Sequence, residues 1–166
     1  MPNLSKGLAA ILLTAFSTAA IAQASIAGSY ANLSADDLSF GVVNINAAFE
    51  FRAQNSQFSL MPELRLGIGV QDDTLFGTNV EVDEFQSVAL RLNYYASDTI
   101  AVFIVPSYAR LGIQASQGGF SSSASETEFG LGLGVSGKIA DEWAVEGSYE
   151  RYDDTNVLSA AIRYYF

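Results

Sequence analysis

The feature that most constrains this chain is a period-two alternation of apolar and polar residues, sustained over segment after segment. Between residues 58 and 70, Leu60, Pro62, Leu64, Leu66, Ile68 and Val70 fall on one face. Ser59, Met61, Glu63, Arg65, Gly67 and Gly69 fall on the other. The same split runs through 42–52, where Val43, Ile45, Ala47, Phe49 and Phe51 oppose Asn44, Asn46, Ala48, Glu50 and Arg52. It returns in 87–95, with Val88, Leu90, Leu92 and Tyr94 on the apolar side, and in 128–138, with Phe129, Leu131, Leu133 and Val135. Period two specifies β-strand. Soluble strands average about 5 to 6 residues, whereas a strand crossing a bilayer at a tilt needs about 9 to 11. A water-soluble sandwich could show the same alternation in one strand, but these runs have the length of membrane crossings. The apolar face then meets lipid and the polar face fills a lumen.

The polar face carries Glu50, Arg52, Glu63, Arg65, Arg91, Glu128, Lys138, Glu146, Glu150 and Arg163, mixed with Gly, Ser and Ala. These are the candidate lumen residues, and their signs nearly balance. Strands are expected near 26–34, 39–52, 58–70, 85–96, 100–113, 126–138, 143–152 and 157–166. An even number of antiparallel strands suits an all-β, eight-stranded up-and-down transmembrane barrel. Tight turns are expected at 54–57, 97–99 and 140–142, and long loops rich in Gly, Ser, Thr and acidic residues at 71–84 and 114–125. Long loops of such barrels face outward, so both termini should be periplasmic. Phe49, Phe51, Phe58, Tyr94, Trp143, Tyr164 and Phe166 fall at the turn ends, where an interfacial aromatic girdle belongs. In 100–113 the run from Ile100 to Val105 is apolar on both faces and Pro106 interrupts it, leaving the facing of Tyr108 and Arg110 open.

Residues 1–24 differ from the rest. Lys6 follows a positive amino terminus, 7–16 is apolar, and Ala22-Gln23-Ala24 offers the small-x-small pattern of a cleavage site. The apolar run is shorter than the roughly 20 residues of a helical span. A secretory signal peptide is expected, with cleavage after Ala24 or after Ala22 and a barrel domain from 25 to 166. The 166 residues include no Cys and no His, which removes disulfides, thiolate metal sites and the commonest acid-base group. A net charge of −10 argues against nucleic acid as a partner.

Against that background the chain resembles the small outer-membrane barrels of Gram-negative bacteria related to the OmpA transmembrane domain, OmpX and the opacity-type surface proteins. The resemblance rests on residues 130–138 (GLGLGVSGK), the turn 140–143 (ADEW), residues 146–153 (EGSYERYD) and the closing 161–166 (AIRYYF). It is closest over the last forty residues and only a pattern over the first half. It implies a bacterial outer-membrane location in contact with lipid and lipopolysaccharide, and delivery by periplasmic chaperones to the barrel-insertion machinery. The final strand looks like the signal which that machinery reads, with Leu158, Ala160, Ile162, Tyr164 and Phe166 as recognition positions. No peptidoglycan-binding domain follows Phe166, so a cell-wall tether is not implied.

Other motifs weigh little. Gly132, Gly134 and Gly137 match a dinucleotide fingerprint, but a turn and another strand follow where that motif needs a helix. These glycines more simply leave room for large side chains in a narrow interior. Residues 72–83 miss the EF-hand pattern because Thr74 and Phe76 stand at ligand positions. Loose divalent binding at Asp72, Asp73, Asp83 and Glu84 competes with a solvated acidic rim that also takes in Asp36, Asp37, Glu81, Glu126, Asp153 and Asp154.

Three functions are in play: a non-enzymatic structural or surface-interaction barrel, a small porin-like channel, and an outer-membrane lipid-modifying enzyme. The last is disfavoured without His, and Glu146 and Glu150, four residues apart on one strand face, stand roughly 13 Å apart, too far to share one bond. Near-balanced charges favour a filled lumen over a pore, because unpaired buried charge costs several kcal/mol per ion. Arg163 is expected to meet Glu146 and Glu150 on the neighbouring strand, in a monomer that needs no cofactor and whose acidic loops could meet an extracellular partner.

Overall fold

In a computed structural model of the chain, described for residues 20–35, 38–75, 78–117 and 120–166, the alternating segments form antiparallel strands. They are β1 (Ala20–Ala35), β2 (Leu38–Ala53), β3 (Phe58–Gln71), β4 (Asp73–Leu75), β5 (Thr78–Tyr95), β6 (Ile100–Gln117), β7 (Phe120–Lys138), β8 (Trp143–Tyr152) and β9 (Thr155–Tyr165). Eight close into a barrel in which each strand pairs with its sequence neighbour, β3 with β5, and β9 back onto β1. The ninth, β4, is a three-residue strand against the start of β5.

Closure can be followed residue by residue. From Ser25 the register passes to Ala48, Glu63, Ala89, Ser107, Gly130, Tyr152 and Thr155, and returns to β1 at Ala35. One circuit therefore climbs from 25 to 35, a shear of ten residues. With eight strands this stagger tilts them by about 40 to 45° and leaves an interior just wide enough to be filled by side chains.

The two faces separate as the alternation requires. Ile45, Leu64, Leu66, Leu133, Leu158 and Ile162 point outward and are exposed, while Asn44, Glu63, Arg91, Glu150 and Arg163 are buried inside. In β6, Ala101, Phe103, Val105, Ser107 and Ala109 point inward and Tyr108 and Arg110 outward, which fixes the facing that the sequence left open. Pro106 lies on the outer face, where its missing N–H coincides with a gap in the β5–β6 ladder between Ala89↔Ser107 and Leu92↔Ile104. At the turn end, Phe58 packs against Tyr94 at 5.2 Å and Trp143 against Tyr164 at 5.0 Å, both tilted, and Tyr164 meets Phe166 edge-on at 5.1 Å. This is an aromatic girdle.

The opposite end departs from expectation. Residues 78–84, 114–117 and 120–125 are strand rather than long loop, so β5, β6 and β7 extend well past the apolar band. Gln114 pairs with Ser123, Ser116 with Ser121, and Gln117 with Phe120. Backbone pairing continues there because each strand has a partner, whatever its side chains. Asp83 is the extra residue of a bulge between Val82 and Glu84. At the far side Tyr152 pairs with Thr155, and Asp153 takes a positive φ of 36° in the two-residue link, as Asp tolerates. Strand β1 also begins at Ala20 rather than near Ile26, although its pairing with β9 starts only at Ser25. Asp36 and Asp37 lie outside the described residues, as do Phe76, Gly77 and most of the expected signal segment.

Candidate functional site

The polar interior is built from the inward positions of four strands. Around the barrel, β3 stands opposite β8, and β5 opposite β9. Because these strands bring Glu63 and Arg65, Glu146 and Glu150, Arg91, and Arg163, three arginines and three glutamates converge from opposite walls. Arg65 Nε donates to Glu63 Oε1 at 2.6 Å, and its other branch reaches Glu150 Oε1 across the lumen, also at 2.6 Å. Arg163 donates to Glu63 Oε2 at 2.5 Å and to both Glu146 oxygens at 3.0 and 3.1 Å, with a further bond to Ser25 Oγ at 3.1 Å. Arg91 binds the same Glu146 carboxylate with two nitrogens at 2.9 and 3.1 Å and lies 3.7 Å from Glu63. Bidentate, charge-assisted bonds of this kind are the strong ones.

The chain of contacts runs Glu150, Arg65, Glu63, Arg163, Glu146, Arg91, and closes back on Glu63. Formal charge cancels within it. Balance matters because a single unpaired ion here would keep several kcal/mol of uncompensated desolvation. The flanks are neutral groups. Ser107 Oγ and Tyr152 Oη donate to Glu150 Oε2 at 3.0 Å each, and the Arg91 guanidinium sits 3.8 Å from the centre of the Phe103 ring. Between the side chains remains a gap of about 30 Å³, the share of a single water.

The other sequence candidates are placed differently. Glu50 lies inside but nearer the turn end, where Ser59 Oγ donates to it at 2.5 Å and Tyr95 Oη also donates, with no arginine bound among the described residues. Arg52 covers the Tyr95 ring at 4.0 Å and donates to the Ser56 carbonyl at 2.8 Å. With Lys138 it lines a recess of about 370 Å³ at the turn-end mouth. Glu128 lies near the hairpin-end mouth and forms no ion pair among the described residues. Arg52, Lys138 and Glu128 therefore do not join the ion-pair network, because Arg52 and Lys138 stand at the turn ends of β2 and β7 and Glu128 stands towards the hairpin end. Glu150 is taken by Arg65 from the opposite wall, not by Arg163.

The acidic candidates for metal do not gather either. Among the described residues no three His, Cys, Asp or Glu side chains are grouped to hold an ion. Asp73 accepts instead from the backbone N–H of Ser39 at 2.9 Å and of Thr74 at 2.7 Å, tying β4 to the start of β2. Asp72 and Asp83 are exposed, and Glu84 is 3.9 Å from Arg110 on the outer surface.

Sequence reasoning missed the partners that complete the interior. Ser107 carries no charge to draw attention, and Tyr152 belongs to an aromatic-rich run. Gly130 and Gly132 make room for them: a Cβ at Gly130 would strike the Tyr152 ring, and one at Gly132 would strike the Glu150 side chain. The expected closing-strand positions Leu158, Ala160, Ile162 and Phe166 are exposed on the outer surface and Tyr164 is half-exposed there, in one stripe ending beside the girdle.

Solved structures share this architecture. Ail of Yersinia pestis, in complex with the heparin analogue sucrose octasulfate, superposes with a TM-score of 0.61 at 17% identity, covering 89% of this chain and 99% of that one. Neisserial surface protein A gives 0.55 at 15% identity, over 89% and 99% of the two chains. The N-terminal β-barrel domain of Pseudomonas aeruginosa OprF gives 0.62 at 9% identity, over 88% and 100%. No curated protein matches the sequence at a significant level. Identities this low show the fold alone. The family model described as "Outer membrane protein beta-barrel domain", however, matches residues 8–165, nearly the whole chain, and the protein belongs to that family of bacterial outer-membrane barrels.

Proposed function

We propose that this is a non-enzymatic surface-interaction barrel with a closed polar lumen, rather than a channel or an enzyme. The observation that carries this is the balanced network of Glu63, Arg65, Arg91, Glu146, Glu150 and Arg163, which crosses the interior between opposite walls. A permeant ion would have to break several charge-assisted bonds at once, with only the space of about one water between them. Reconstitution in planar bilayers tests this: no steady conductance is expected, and a stable, voltage-independent channel would overturn it.

In this proposal the hairpin end, where β5, β6 and β7 extend past the apolar band, faces outward and the turn end and both termini lie in the periplasm, because membrane barrels carry their longer projections on the outer side. Residues 1–24 act as a cleaved signal peptide. Support for that boundary comes from Ser25, the first β1 residue in register with β9; residues 20–24 are in register with β2 only, with Gln23 and Ala24 touching just the terminal Phe166. Mass determination of the protein extracted from outer membranes should find Ser25 at the amino terminus. The outward stripe of β9 serves the insertion machinery, and the mature barrel sits as a monomer among lipid and lipopolysaccharide.

The partner should be cationic. Ail was crystallised with a heparin analogue, a polyanion, but this chain carries a net charge of −10. Exposed or half-exposed Glu81, Asp83, Glu84, Glu126, Asp153 and Asp154 crowd its hairpin end. Such a field repels sulfated sugars and attracts basic surfaces, an effect that fades as ionic strength rises.

A further inference from the structure

Towards the hairpin end the barrel interior changes character. Leu33, Phe40, Phe85, Ala109 and Val157 are buried there in one cluster with Tyr152, in place of the charged residues of the middle. They wall a chamber of about 160 Å³ whose lining also includes Glu126 and Glu128. Tyr152 separates the two halves. Its ring belongs to the apolar cluster, while its hydroxyl is held 2.7 Å from Ser107 and 3.0 Å from Glu150 in the network beneath.

Both the size and the rim of this chamber are informative. Protein interiors leave few voids larger than a water, and an aliphatic and aromatic cavity of about 150 Å³ takes up benzene rather than water. One ring or a short alkyl group would fit. At the mouth, Glu126 and Glu128 form no ion pair among the described residues, and Asp153 and Asp154 lie near enough to Glu128 to add to the same negative field. Arg110, on the adjacent strand, points outward and lies beside Glu84 instead.

We propose that the chamber binds a small cationic amphiphile, seating a benzene-sized or short-alkyl group among Leu33, Phe40 and Val157 and holding its ammonium at Glu126 and Glu128. Apolar contact supplies part of the affinity and charge supplies the selection, so a neutral analogue binds more weakly and an anionic one is repelled. The site goes beyond the surface-partner function and does not depend on it.

The test uses the full barrel in zwitterionic nanodiscs, titrated with benzyltrimethylammonium, benzyl alcohol and phenylacetate while the methyl resonances of Leu33, Leu38, Val80 and Val157 are followed by NMR. Saturable shifts at these methyls are expected for the cation, weaker ones for the alcohol and none for the anion. The paired change Glu126→Gln and Glu128→Gln should lower affinity for the cation about fivefold, the scale of one half-exposed ion pair, and leave the alcohol unchanged. Ala109→Phe, which fills the chamber, should abolish both. Non-saturating shifts, equal shifts with phenylacetate, or full binding by a folded Ala109→Phe barrel would overturn the proposal. If Ala109→Phe does not fold, the glutamine pair at the exposed rim decides alone.

Discussion

Arg163 on β9 donates to Glu63 on β3 across the barrel interior at 2.5 Å, joining residues 100 positions apart. The strands that carry them lie three places apart around the closed sheet, so the bond can form only once β9 has returned to β1. Arg65 and Glu150 make the same kind of crossing between β3 and β8. Polar satisfaction of the interior is thereby coupled to closure: an open sheet would keep Arg163 beside Glu146 on the neighbouring strand but would leave Glu63 without it.

This coupling predicts a strong and non-additive mutational response. Replacing Glu63 by Gln removes the negative charge that faces three arginines and leaves positive charge buried, which should cost about 3 to 5 kcal/mol. Adding Arg163→Met restores the balance and should recover a substantial part of that loss. Urea unfolding of the folded barrel measures both, and strict additivity would contradict a shared network.

How much of this was legible in the sequence depends on the surroundings of each residue. Leu64 against Glu63, or Ile162 against Arg163, could be read because lipid outside and charge inside impose opposite chemistry on adjacent positions. The hairpin ends of β6 and β7 could not. Where Gln114 pairs with Ser123, both faces meet a polar setting, alternation vanishes, and a Ser-rich strand resembles a loop. Leu33, Phe40 and Val42 hid the upper chamber in the same way, being apolar although they face inward. The partner of Glu150 was hidden for another reason: it depends on the ten-residue shear, a property of the whole ring that no single strand displays.

The wall glycines should tolerate substitution according to what lies over them. A Cβ on Gly130 would collide with the Tyr152 ring and displace its hydroxyl from Ser107 and Glu150, whereas one on Gly147 meets nothing within 4 Å. Gly130→Ala should therefore destabilise by about 1 to 3 kcal/mol, and Gly147→Ala should be neutral. The fraction of barrel that migrates as folded on unheated gels reports the difference.

The extent of the lipid-facing band can be probed with a single charge. Leu133 points outward in the middle of the apolar stretch of β7, and Leu133→Arg should cost about 2 to 4 kcal/mol. Ser123→Arg, on the same strand but in its hairpin extension, should cost little, because water is available there. Equal penalties in lipid-vesicle unfolding would mean that the band reaches into the hairpin.

The last residue separates assembly from stability. Phe166 is 71% exposed and touches Tyr164 edge-on at 5.1 Å, and the 3.0 Å bond from its N–H to the Ala24 carbonyl is one that cleavage after Ala24 removes. So little of its ring is buried against the barrel that deleting it should barely shift the unfolding midpoint of protein refolded in detergent. If the outward stripe of β9 is what the insertion machinery reads, the same deletion in cells should sharply reduce the amount reaching the outer membrane and leave unfolded chain in the periplasm. Fractionation of cells expressing the truncated protein distinguishes the two effects. Normal insertion would show that Leu158, Ala160, Ile162 and Tyr164 suffice, and a large loss of refolded stability would assign Phe166 a structural role instead.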